Sequence, residues 1–302
     1  MLSPRRRPFG ITLVELLVAM AVGGVALSLV AVICMREQRL FADLGAQNAT
    51  SVQLRDAEAI LPIDLRAASA PQGDLREARD TSIELRGIVA SAIICDTARG
   101  AVVLAPATDS ASAYAGYLTT PDVGDTAWVL APGDSSEVWE PYRVAASGTF
   151  AAGACGALGP RLAGESATAP RVLLSLEGAA PAARVGMPLR ITRPLRYSLY
   201  RGSDARWYLG QRDWSSVTQR FNSIQPVSGP LLSPAAGGLV FRYLDSAANV
   251  LATPVADTRA IAAILVDIRG ETRSDMRALG AATSAGKRAD SATLWILLRN
   301  RR

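Results

Sequence analysis

The chain has no histidine, a single lysine at Lys287, three cysteines and few aromatic residues, 6% of its 302 positions. Without histidine it lacks the usual general base and the commonest nitrogen ligand for metals. A serine triad of the ordinary kind is excluded. Three cysteines fall one ligand short of a structural zinc site. The net charge of +5 is carried almost wholly by arginine. Apart from Arg5-Arg6-Arg7 and Arg299-Asn300-Arg301-Arg302, the arginines are scattered, whereas a nucleic-acid binder gathers them with aromatics on one face. No catalytic role, cofactor or nucleic-acid partner is expected. What is present is apolar: 49% hydrophobic against 20% charged residues, the composition of a folded body with an added hydrophobic segment.

That segment runs from Ile11 to Met35, 25 residues with one charge, Glu15. A helix of this length, at about 1.5 Å per residue, crosses a hydrocarbon core of about 30 Å. The arginine cluster before it keeps the N-terminus in the cytoplasm and sends the remainder outside. The run is too long for the apolar region of a cleaved secretory signal. A lipoprotein signal ending at Cys34 would require a small residue at position 33, which is Ile33. Glu15 distinguishes the segment from a plain anchor. An acidic side chain at mid-span costs roughly 2.5–3.5 kcal/mol on insertion scales, so an ionisable residue there points to function. Close to a helix start, free N–H groups and the positive dipole end favour it.

The stretch Gly10-Ile11-Thr12-Leu13-Val14-Glu15-Leu16-Leu17, behind a short basic leader, resembles the class III signal of type IV pilins and type II secretion pseudopilins. The resemblance implies cleavage by a prepilin peptidase between Gly10 and Ile11 and methylation of the new N-terminus at Ile11. It implies an assembly role for Glu15, the fifth residue of the mature chain, opposite the free amine of a neighbouring subunit. Ile11 stands where the family usually has phenylalanine. Other pilins, met through the N-terminal helix, and the inner membrane are the further partners implied. The location implied is the bacterial inner membrane with the C-terminal domain in the periplasm, and then a filament.

Beyond Met35 the pattern turns amphipathic. Leu40, Phe41, Leu44, Leu54, Ala57, Leu61 and Leu65 recur at helical spacing, a stripe suited to packing on the chain's own sheet. Pro62 is expected to kink or open this helix, and Gly23-Gly24 is a soft point within the span. After Pro71–Gly73 the sequence breaks into short strands, "TSIEL", "ASAIICD", "GAVVLAP", "DTAWVLAP" and "VWEPYRVAA", divided by turn residues. The stretches 105–116 and 148–168 read as mobile surface loops. "RPLRYSLYRGSDARWYLGQRD" reads as a hairpin about Gly202-Ser203-Asp204, and "GGLVFRYLD", "AIAAILVDIRG" and "ATLWILLR" as long half-buried antiparallel strands.

The fold class is therefore α+β: a long N-terminal helix packed on antiparallel sheet with loop-rich insertions. It divides into a leader at 1–10, a transmembrane helix at 11–35, its amphipathic continuation at 36–70 and a β-rich periplasmic domain at 80–302. In plan the body resembles the PilW-like minor pilins, with the J-type type II secretion pseudopilins as a second resemblance. A membrane-anchored periplasmic binding module or adhesin is the alternative of another class. Cys95 and Cys155 both fall in the exported body, an oxidising compartment, and are expected to form a disulfide, while Cys34 lies at the membrane edge. "GDTAW" and "PGDSSE" are acidic turns without the alternating carboxylates of a calcium loop. Trp207, Tyr208 and Trp214 read as cross-strand packing in a hairpin rather than a sugar or partner contact.

Overall fold

The structure, a computed structural model, describes residues 12–98, 100–105, 115–132, 137–150, 170–273, 275–277 and 285–299. It opens with one helix, α1 (Leu13–Ala67), whose most apolar window has a mean hydropathy of 2.7. The helix continues five residues past Pro62, so the proline removes one N–H without ending it. The amphipathic stripe divides in two. Leu54, Ala57, Leu61 and Leu65 are buried, whereas Leu40, Phe41 and Leu44 are 41%, 71% and 52% exposed. The expectation that the whole stripe packs on the sheet therefore holds only from Leu54 onward.

Eighteen strands follow among the described residues: β1 (Leu75–Ala78), β2 (Ser82–Ile93), β3 (Asp96–Ala98), β4 (Ala101–Leu104), β5 (Ala115–Tyr117), β6 (Thr126–Pro132), β7 (Glu137–Phe150), β8 (Arg171–Leu176), β9 (Pro188–Arg201), β10 (Trp207–Ser215), β11 (Arg220–Phe221), β12 (Gln225–Leu231), β13 (Leu239–Leu244), β14 (Val250–Leu251), β15 (Ala263–Glu271), β16 (Met276–Arg277), β17 (Ala285–Gly286) and β18 (Ala289–Leu297). The first strand starts at Leu75, ahead of the expected domain start at residue 80. "TSIEL" and the first part of "ASAIICD" are not two strands but the single twelve-residue β2, which ends at Ile93, while Asp96 opens β3. Most of the 105–116 and 148–168 stretches lies outside the described residues.

The chain separates into two units. One holds α1 up to Ser51 with Thr272–Arg288. Within it β16 pairs with β17, Arg288 donates from its backbone to Thr272 Oγ1 at 3.0 Å, and its guanidinium reaches Gln47 Oε1 at 3.4 Å. The other unit, Val52–Glu271 with the segment from Ala289, carries the sixteen-stranded antiparallel sheet. Its path runs β14-β13-β15-β12-β10-β9-β6-β7-β8-β4-β3, with β18 added on β15.

β9 is the strand the others share. β2 pairs with it from Ser82↔Ser198 to Ile93↔Pro188, while on its other edge β10 takes Leu195–Arg201 and β6 takes Leu189–Thr192. Each half serves its own core. Ile83, Leu85, Leu195 and Tyr197 join Leu54, Leu61 and Leu65 of the helix together with Phe241, Tyr243 and Ile264. Val89, Ala90, Leu189 and Ile191 join Leu104, Val129, Val144 and Leu174 in a core to which the helix contributes no residue. The change occurs at a bulge between Ile88 and Ala90. The extra residue bends β2 and leaves both Val89 and Ala90 buried. Each buried leucine of the helix stripe contributes about 1.5–3 kcal/mol of transfer free energy to the first core.

The expected hairpin is present as β9–β10, with Arg201 opposite Trp207 and Gly202 N–H bonded to Arg206 O at 2.7 Å. Its aromatics pack across strands. Tyr200 faces Tyr208 with ring centres 5.9 Å apart, and Trp214 meets Phe221 of β11 edge-on at 5.2 Å.

One carboxylate lies within the helix-to-sheet contact. Asp64 of α1 accepts a 2.6 Å hydrogen bond from the Tyr197 hydroxyl. Burial raises the Asp64 carboxyl above its ordinary value, partly offset by that hydrogen bond, and keeps the tyrosine protonated. The folded state therefore binds a proton more tightly at Asp64 than the unfolded state does. The stability this contributes is present below the ordinary carboxylate range and is lost as pH rises through the raised value. Asp64→Asn retains an acceptor for Tyr197 without the charge. Chemical denaturation of the full chain in detergent should find this variant more stable than the parent at pH 7. The two should converge near pH 3.5, and a constant difference at both pH values contradicts the assignment.

Candidate functional site

Gly10 and Ile11 lie outside the described residues. The described residues begin at Thr12, which makes a reciprocal cap with Glu15. The Glu15 carboxylate Oε2 accepts from the Thr12 backbone N–H and hydroxyl, each at 3.0 Å, and the Thr12 Oγ1 accepts from the Glu15 N–H at 3.3 Å. This is the Thr-x-x-Glu capping box, which satisfies donors that a helix start otherwise leaves free. The atoms used belong to residues 12 and 15, so a chain starting at Ile11 retains the box. Oε1 makes no hydrogen bond among the described residues. Sequence reasoning placed Glu15 correctly at the helix start but missed its local partner, although Thr12 three residues earlier was the signal.

Downstream of this cap the helix is apolar and open. Leu13, Val14, Leu17, Met20, Leu27 and Ile33 are all more than half exposed, and Gly23 and Gly24 have nothing within 4 Å of where a Cβ would stand. A surface of this kind is stable in lipid or against other helices and unfavourable in water. Cys34 is an exposed free thiol on the same segment.

In the body, the acidic turn "GDTAW" has a structural use. Gly124, at φ +85°, makes the turn, and a Cβ there would stand 2.1 Å from Cβ of Ser216. Asp125 beside it is 2% exposed and receives Arg193 through two bonds, Nε to Oδ1 at 2.6 Å and Nη2 to Oδ2 at 2.8 Å. That hydrogen-bonded pairing holds the Arg193 guanidinium above its ordinary value in spite of partial burial. Arg193 sits where β6 and β10 part along β9, so the ion pair pins the start of β6 at the fork. The carboxylate is committed to arginine. The "PGDSSE" turn lies largely outside the described residues.

A second buried carboxylate had no signature in the sequence. Asp74, 2% exposed, closes the turn after α1 by accepting from Ser69 N–H at 2.9 Å. It also receives Arg190 from β9 through two nitrogens at 3.3 and 3.4 Å, with Arg86 of β2 at 3.6 Å. The two guanidiniums lie against indoles, Arg86 at 4.4 Å from the Trp128 ring centre and Arg190 at 4.9 Å from that of Trp139, within cation–π range. Cys95, 1% exposed, lies between β2 and β3 with its N–H on Val103 O at 2.8 Å. Cys155 lies outside the described residues.

Compared with known proteins, residues 5–31 match the family model described as "Prokaryotic N-terminal methylation motif". This span contains Gly10, Ile11, Thr12 and Glu15 and covers under a tenth of the chain. No curated protein and no solved structure matches. The amino-terminal segment is thus similar to those through which pilins and pseudopilins are processed by prepilin peptidase, ahead of an α+β body in which a long helix leads into a large antiparallel sheet.

Proposed function

We propose that this chain is a PilW-like minor pilin, a structural and assembly component of a type IV pilus with no catalytic role. It is inserted in the inner membrane with its body in the periplasm and cut after Gly10. The methylation motif at residues 5–31 carries the reading. The exposed apolar helix and the burial of only its later half suit a subunit whose first half is covered by lipid and then by neighbouring helices. In that setting Glu15 keeps its capping bonds through Oε2 and offers Oε1 to the methylated amine of Ile11 in an adjacent subunit. An uncompensated carboxylate among apolar helices is costly, so the pairing selects the aligned register.

Mass spectrometry of membrane-extracted protein should find a chain beginning at methylated Ile11. Gly10→Val should leave the leader attached, because a branched side chain replaces a hydrogen beside the scissile bond. An intact leader on the parent chain in filaments overturns the reading.

Glu15→Gln separates capping from charge, since glutamine serves in a capping box equally well. Membrane insertion should be unchanged. Recovery in sheared filaments should fall about tenfold or more, the loss expected for one charge-assisted bond. Filament recovery equal to the parent would mean that the cap alone is what Glu15 supplies.

We also propose that Cys95 pairs with Cys155, which in the chain-entropy model is worth about 4 kcal/mol. Peptide mapping without reductant should join the two and find only Cys34 alkylated. Alkylation of all three thiols rejects the pairing.

A further inference from the structure

We propose that the cavity over the β2–β9 ladder beside Trp139 is a binding site for a carboxylate joined to an apolar body. The cavity measures about 470 Å³, within the size range of small-ligand pockets. Its walls include Ile88 and Ile93 as apolar surface, Trp139 as a ring face, and Arg190 and Arg299 as cations; among the described residues no acidic side chain lines it.

The charge balance behind this wall makes the site ask for an anion. Arg190 and Arg86 share the single carboxylate of Asp74, at 3.3–3.4 Å and 3.6 Å. Two guanidiniums against one carboxylate leave one positive charge in excess, and Arg299 at the cavity wall adds another. Arg190 is 9% exposed, and its Nε–H has no hydrogen-bond partner among the described residues. A buried charged donor left unmatched is costly and leaves the Arg190 guanidinium under-compensated behind the cavity wall. Burial draws the Arg86 guanidinium below its ordinary value against the attraction of Asp74, and neighbouring Arg76 and Arg190 add smaller repulsions in the same direction as burial. Trp139 stacks on Arg190 at 4.9 Å and fixes the plane of the guanidinium. A carboxylate reaches Arg190 and Arg299 while its apolar portion lies on Ile88 and Ile93. The same chemistry is presented by a free aromatic acid and by a C-terminal aromatic residue of another polypeptide.

The test uses the full chain in detergent micelles, with phenylacetate and its neutral isostere phenylacetamide as probes and tryptophan fluorescence as the readout. Phenylacetate should bind about tenfold or more tightly than the amide, the ratio expected for one charge-assisted hydrogen bond. Arg299→Gln, at an exposed position, should weaken phenylacetate several-fold and leave phenylacetamide unchanged. Trp139→Phe should abolish the fluorescence change, with calorimetry still reporting binding. The peptide Gly-Gly-Phe as free acid, measured against its C-terminal amide, distinguishes the sources: binding tighter than phenylacetate assigns the site to a polypeptide terminus, and weaker binding assigns it to a small acid. Equal affinity for phenylacetate and phenylacetamide, or no binding of either probe to folded protein, overturns the proposal.

Discussion

The pairing of β2 with β9 is the constraint on which the sheet-bearing unit depends. Both strands are long enough to pass through two hydrophobic cores, and every other strand of the main path reaches them through β10 or β6 on the far edge of β9. A register slip of one residue would turn Ile83, Leu85, Leu195 and Tyr197 away from the helix and expose them. The bulge at Ile88–Ala90 allows one ladder to serve two differently oriented cores.

Two buried carboxylates lock that ladder at points where hydrophobic packing alone is indifferent. Asp125 holds Arg193 at the fork between β6 and β10, and Asp74 ties the turn after α1 to Arg86 on β2 and Arg190 on β9. Neither pair is a large source of net stability, because desolvating the charges opposes their attraction; removal of one partner costs about 3–5 kcal/mol, since the other is left buried and unpaired. Their contribution is to position. The same arrangement at Asp74 leaves an uneven charge count on the far side of Trp139, so that a structural clamp and a candidate ligand site share one guanidinium.

The helix combines two environments in one element. Up to Met35 its surface is apolar on every side, and from Leu54 onward it is buried on one stripe only. Between them Leu40, Phe41 and Leu44 lie exposed in a region with charges on its other faces. A periodic apolar stripe states that a face seeks a partner and does not state which. From Leu54 the partner is the sheet of the same chain; before it, in the proposed function, the partner is another subunit.

What the sequence by itself determined is local. The leader, the glycine and the Thr12–Glu15 spacing act through neighbouring residues on one chain, so the processing signal and the capping box are both legible in linear order. So is the β9–β10 hairpin, where a turn sequence lies between two aromatic strands. The tertiary structure decided the rest because it depends on partners far apart in the chain. "TSIEL" and the start of "ASAIICD" form one strand because β9 pairs with both, from Ser82 to Ile93, across Gly87, a residue that alone reads as a break. The acid of "GDTAW" is an ion-pair partner and not a free turn carboxylate because Arg193, 68 residues later, reaches it. Asp74 meets Arg190 across 116 residues. No periodicity encodes such a meeting: which charges become neighbours is settled only when the apolar pattern has folded the strands, and burial then fixes the cost of leaving any of them unpaired.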